Sequence, residues 1–148
     1  MKKIIAVFGL LSMLILSGCS LLGEVNNSLD YVNEVTDYIN TAKSFANEVP
    51  PLAQDAVTDT EARENLENEL QAMKEEIQTF NEMEPPSIAA DIHENIVSSN
   101  KKLEEGIDLY LTNIENGTFD PEFLENSEIM KTISEITDLM NQIEDLGL

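Results

Sequence analysis

The chain has 148 residues, 42% hydrophobic and 25% charged, with one cysteine and no tryptophan. That is the length of one domain and a composition that can hold a core built on Leu, Ile, Val and Met. A formal net charge of −21 excludes nucleic-acid binding, which draws its affinity from Lys and Arg on phosphates, and opposes lying flat on anionic lipid.

The chain opens with Met1-Lys2-Lys3, a short basic stretch, followed by an uncharged and mostly apolar run from Ile4 to Leu16. Thirteen residues fall short of the roughly 20 that a membrane-spanning helix needs, and the layout is that of a secretory signal peptide. The uncharged stretch continues through Ser20-Leu21-Leu22-Gly23, so an uncleaved signal anchor competes. Both readings place the residues after 23 outside the cytoplasm, because Lys2 and Lys3 hold the N-terminus inside.

Leu16-Ser17-Gly18-Cys19 looks like the lipobox of bacterial lipoproteins: an aliphatic residue, two small ones, then cysteine. That resemblance implies diacylglycerol on the Cys19 thiol and cleavage before it by the lipoprotein signal peptidase. The expected division is a signal peptide over 1–18, a lipidated tether over 19–23 and an acidic helical domain over 24–148. Removing Lys2 and Lys3 leaves six basic side chains against 29 acidic ones. Two acyl chains anchor stably where one does not. Ser20 to Gly23 spans at most about 14 Å when extended, which keeps the domain near the bilayer. A single cysteine makes no internal disulfide.

From Val25 the apolar residues step by three and four through Val32, Val35, Ile39, Ala42, Ala46 and Val49, with Ser28 in register, and with Tyr31, Tyr38 and Phe45 seven apart beside them. This predicts an amphipathic helix over 24–49, ended by Pro50-Pro51, since proline lacks the donor and disfavours helix before it. The tyrosines fit a core role; facing outward they would form a partner-binding strip near the membrane. A short helix is expected near 52–57 and a break near 58–60. The main second helix then runs to about 82, with the stripe Leu66, Leu70, Met73, Ile77 and Phe80. Thr58 and Glu61 stand at capping-box spacing, and Asp59 and Arg63 are poor core residues.

Pro85-Pro86-Ser87 closes that helix and starts a third over 87–115, with Ile88, Ile92, Ile96, Leu103, Ile107, Tyr110 and Ile114 on one face. Ser99 and Gly106 near that face would let a neighbour approach closely. Asn116-Gly117 is a helix stop. Asp120-Pro121 looks like an N-cap followed by proline in the first turn. A fourth helix to about 145 carries Ile129, Ile133, Ile136, Met140 and Ile143. The expected fold is all-α, an up-down antiparallel four-helix bundle with short connections. Val32–Asn40 also resembles Ile133–Asn141, an echo that one heptad pattern explains and that a quasi-symmetric pair of first and last helices would also give.

Little chemistry stands out on this scaffold. His93, the sole histidine, reads as packed over the Pro85-Pro86 turn, or as a pH-sensitive contact or a lone base. A base needs a nucleophile and an orienting group, and no nucleophile elbow occurs. One histidine and no free thiol after lipidation offer no zinc or haem set. The carboxylates, among them Glu61, Glu64, Glu75, Glu76, Glu104, Glu105 and Asp108, fall at helical spacing as a solvated face. No EF-hand loop occurs, and 116–128 is the best stretch for a weak divalent site. No catalytic residue, cofactor or metal site is assigned; the assigned positions are Cys19 for lipid and Leu16, Ser17, Gly18 and Cys19 for the peptidase.

The box Leu16-Ser17-Gly18-Cys19, the acidic helical part, and Pro85-Pro86 with His93 one to two turns on together resemble the small uncharacterised lipoproteins of Gram-positive bacilli. The resemblance implies a helical lipoprotein on the extracytoplasmic face of the cell membrane and carries no activity, and the Gram-positive origin rests on it alone. The expected function is a non-enzymatic envelope module that binds or supports another envelope protein. The alternative is a ligand- or cation-binding lipoprotein using the acidic face or an inter-helix pocket.

Overall fold

The apolar stripes dictate four helices, and the computed structural model, which describes residues 18–122 and 128–145, has them: α1 (Gly18–Asp55), α2 (Thr60–Asn81), α3 (Ala90–Glu115) and α4 (Glu128–Asp145). No strand occurs among the described residues. Lys2, Lys3, the run Ile4–Leu16 and Ser17 lie outside them, as do residues 123–127 and the side chains of Cys19, Val25, Met140 and Ile143.

The first helix departs from expectation. Pro50 and Pro51 lie inside α1, which continues to Asp55. Neither nitrogen can donate to the carbonyl four residues back, a loss of about 3 kcal/mol or more in a helix interior. What carries the helix across is the face beyond. Val49, Ala53 and Ala56 are fully buried, and their spacing keeps them on the core side only while the chain stays helical. The short helix expected near 52–57 is thus the end of α1, and the break falls at 56–59 as the turn before α2.

Asp59, not Thr58, caps α2: its carboxylate accepts from the backbone N–H of Glu61 at 2.8 Å and of Ala62 at 3.4 Å. A carboxylate there satisfies orphan donors and sits favourably at the positive end of the helix dipole. Arg63 donates through Nε and Nη2 to the Ala56 carbonyl at 3.3 and 3.0 Å. The two residues that spoil the apolar stripe therefore close the α1–α2 turn. Leu66, Leu70, Met73, Ile77 and Phe80 all reach the core.

The third helix begins at Ala90, three residues later than expected, and Ile88 stays 57% exposed in the preceding turn. The Pro85-Pro86 pair delays helical bonding until the Ala89 N–H reaches the Pro86 carbonyl at 2.9 Å. At its other end, Gly117 has φ +68°. Its N–H donates to the Ile114 carbonyl at 3.1 Å and that of Thr118 to Asn113 at 2.9 Å. These are the paired bonds of a Schellman stop, and a left-handed φ without a Cβ penalty is what glycine supplies there. Asp120 Oδ1 accepts from the Glu122 N–H at 3.0 Å, the expected capping bond.

Each helix packs against its neighbour in the chain, and α1 also packs against α4. Directions follow from side-chain pairs. Tyr31 meets His93 and Tyr38 meets Asn100, so α1 and α3 run the same way. Lys74 pairs with Asp108 while Asn81 pairs with Asn100, so α2 runs against α3. Gly106 serves the close approach expected of it, since a Cβ there would stand 2.8 Å from Ile129 Cγ1. The echo between α1 and α4 is local. Thr36 and Thr137 bond back to Val32 and Ile133, but Tyr38 is buried where its counterpart Leu139 is half-buried.

Candidate functional site

The heptad that places Tyr31 and Tyr38 on one stripe of α1 is matched on α3 by His93 and Asn100, also seven apart. Both pairs lie 62 residues apart in the chain, and each makes a hydrogen bond across the bundle. Tyr31 Oη and His93 Nδ1 are 3.0 Å apart. Tyr38 donates to Asn100 Oδ1, and Asn100 Nδ2 donates to Asn81 Oδ1 on α2 at 2.9 Å. Phe80 lies between the two rungs, stacked on the His93 ring at 4.9 Å and 21° and packed on Tyr38 at 4.5 Å. All these residues are buried except Asn81, which is half-buried. Three helices are thus joined by a two-rung polar ladder in the half of the bundle nearest Cys19.

Burial sets the electrostatics of the ladder. It pushes the Tyr31 hydroxyl up to about 12. The Tyr38 hydroxyl is raised further by burial; its bond to Asn100 works against that, and Glu76 adds to the rise. Burial holds the His93 imidazole below its ordinary value, with the Glu94 carboxylate acting against that. A tyrosine hydroxyl raised in this way is a neutral donor, and a histidine lowered in this way is a neutral acceptor, so the Tyr31–His93 contact takes its simplest form with the hydroxyl donating. The arrangement holds helices together. Acid–base work would need a reacting group and an approach to it, and His93 Nδ1 is already engaged inside the core.

The outward-facing strip considered for the aromatic residues is overturned: Tyr31, Tyr38 and Phe45 are core residues. His93, expected to be partly buried over the Pro85-Pro86 turn, is instead buried in the core against Tyr31 and Phe80. Asn100 escapes a reading of the sequence. Its signal is nevertheless present, a polar residue one heptad after His93 on an apolar stripe.

Beside the ladder, α1 and α2 flank an open cleft of about 430 Å³ with Glu34, Asp37 and Glu76 at its rim and Tyr38, Phe80 and Met83 among its lining residues. Thr41 and Thr79, also on the lining, spend their hydroxyls on carbonyls of their own helices. The other singled-out carboxylates on described side chains are exposed or half-buried, none buried. Among the described residues no three His, Cys, Asp or Glu side chains are grouped to hold a metal ion. In the 116–128 stretch, Asp120 already caps its own turn, and 123–127 lie outside the described residues. Cys19 falls in the first turn of α1, with Leu16 and Ser17 outside. Among the described residues no helix is long and apolar enough to cross a membrane.

A family of unknown function, DUF6376, matches residues 31–146. The chain belongs to this family. The DUF6376 match begins at Tyr31, the first rung of the ladder, and so coincides with the bundle. A curated relative, the uncharacterised lipoprotein YybP of Bacillus subtilis (strain 168), is 40% identical over 147 residues, 99% of each chain. That alignment takes in the N-terminal segment as well as the DUF6376 region. No solved structure matches the chain. The expected kinship with small lipoproteins of bacilli is therefore correct.

Proposed function

We propose that this chain is a lipoprotein held on the extracytoplasmic face of the cell membrane by lipid on Cys19, and that its acidic bundle is a non-enzymatic module engaging or supporting another envelope protein. The anchor reading is supported by the box Leu16-Ser17-Gly18-Cys19 and by whole-length similarity to a lipoprotein. The observation that carries the non-enzymatic reading is the ladder: the single histidine is engaged with Tyr31 and stacked on Phe80 as core. Mass spectrometry of the native protein and of Cys19→Ala tests the anchor; an unmodified N-terminus at Met1 in the native protein overturns it. In-cell crosslinking of the anchored chain and of a form lacking the anchor tests the module; the absence of any recurrent protein partner counts against it.

The second reading, a ligand- or cation-binding lipoprotein, rests on the α1–α2 cleft with its three rim carboxylates. These carboxylates are not grouped as metal ligands, but three negative charges around one cleft favour a cationic ligand or a loosely held cation. Calorimetry with calcium and other divalent ions decides it, and flat titrations remove the cation version.

A further inference from the structure

The ladder holds the molecule's only histidine in a place where its charge state has consequences. His93 is 6% exposed. Phe80 of α2 covers one face of its ring, and the Tyr31 hydroxyl of α1 meets Nδ1. The groups that face it among the described residues are these two, neither of them charged, and on its own helix the carboxylate of Glu94, which is exposed to solvent. A neutral imidazole suits this setting, since one nitrogen accepts from Tyr31. An imidazolium does not: both nitrogens become donors, the Tyr31 hydroxyl must turn from donor to acceptor, and a buried cation is left with no carboxylate touching it among the described side chains.

The two ends of the one continuous core differ in chemistry. The half nearest Cys19 holds both rungs of the ladder. The opposite half is filled by Phe45, Val49, Leu66, Leu70, Leu103 and Ile107, which do not titrate. Proteins open in contiguous units of different stability, and the buried histidine sits at one end of this core only.

We propose that the Tyr31–His93 pair is a pH-sensitive clasp between α1 and α3, which protonation of His93 releases, opening the Cys19 end of the bundle while the opposite half stays packed. Opening there uncovers Tyr38 and Phe80, the aromatic residues beneath the cleft. In an envelope protein the device would couple exposure of that surface to the acidity outside the membrane. The clasp rests on the bundle alone and holds whether or not Cys19 carries lipid, so its failure and that of the anchor reading are distinguishable.

Amide hydrogen exchange on the full chain tests it, measured one pH unit above and one below the ordinary histidine value of about 6.5 and corrected for intrinsic exchange. The expected result is a loss of protection at the lower pH in segments 31–40, 77–81 and 90–100, by no more than about tenfold per pH unit, the limit for one linked proton. Segments 45–53, 62–73 and 103–114 should keep theirs. In His93→Gln, whose amide oxygen can accept from Tyr31 without titrating, the selective loss should vanish. An equal loss in that variant, or an even loss over both halves, overturns the proposal. Should the variant fail to fold, ring-proton NMR of the single histidine in the native chain decides. His93 protonating with no change in the 31–40 and 90–100 segments overturns the clasp, and the two changing together support it.

Discussion

Tyr38 donates its hydroxyl to Asn100 Oδ1 across the bundle, and Asn100 passes the bond on to Asn81 of α2. Asn100 is fully buried and Tyr38 nearly so, so each depends on the other for a partner. A buried acceptor left without its donor costs about 1–3 kcal/mol. Tyr38→Phe removes the donor and keeps the ring on Phe80, and it should lower unfolding stability by about that amount. Asn100→Leu in the same background removes the stranded acceptor, and part of the loss should return. Urea denaturation of the single and double variants measures the coupling. Strict additivity would mean that the bond carries no energy.

Gly106 approaches Ile129 so closely that a methyl group there would stand 2.8 Å from Cγ1. Alanine gains up to about 1 kcal/mol over glycine in a helix interior. Here that gain meets a fully buried isoleucine, and overpacking costs about 1–3 kcal/mol. Gly106→Ala should therefore destabilise, against the helix-propensity ranking, and Ile129→Val should make the alanine tolerable. Thermal unfolding of the four combinations reads the coupling. A stabilised Gly106→Ala chain would mean that α3 and α4 are less closely packed than the Ile129 contact implies.

Most of the fold is legible in the sequence because helical stripes report which face is buried. Leu66, Leu70, Met73, Ile77 and Phe80 can be read from spacing alone, and all lie in the core. What misleads is local chemistry that packing overrides. Pro50-Pro51 argues for a helix end, yet Val49, Ala53 and Ala56 need the helix to continue. Ile88 matches the α3 stripe, yet the preceding prolines leave it in a turn. The ladder is half legible. His93 stands out for its chemistry and Tyr31 and Tyr38 for their spacing, but pairing them requires knowing that α1 and α3 run the same way, which no single segment encodes. Asn100 is easily passed over, despite its place on the apolar stripe, because a lone asparagine on a helix is ordinarily a surface residue.

The prolines give a stability prediction of their own. Pro51 is exposed and lies inside α1, where the carbonyl of Asn47 receives nothing from it. Alanine would restore a donor and remove the ring. Pro51→Ala should raise stability, by about 3 kcal/mol less whatever the freer unfolded chain takes back, about 0.4–1 kcal/mol. A higher urea midpoint at unchanged slope is the expected result. A lower midpoint would show that the proline shapes the α1–α2 turn.

The tyrosines set the alkaline limit of the fold. Tyr31 is 3% exposed, and burial pushes its hydroxyl up to about 12; burial raises Tyr38 and Tyr110 as well. An unfolded tyrosine ionises near 10. Above that value the unfolded chain releases protons that the folded chain still holds, so unfolding becomes easier as pH rises. The Tyr31 contribution is complete below pH 10 and is lost between about 10 and about 12. Alkaline denaturation followed by helical circular dichroism, with tyrosinate absorbance recorded alongside, should show the two signals changing together in one cooperative step. Tyr31→Phe should move that step to higher pH relative to its own neutral stability, because one of the groups driving it is gone. Tyrosinate absorbance that rose smoothly near 10 in a still-helical protein would mean that the three hydroxyls are open to solvent.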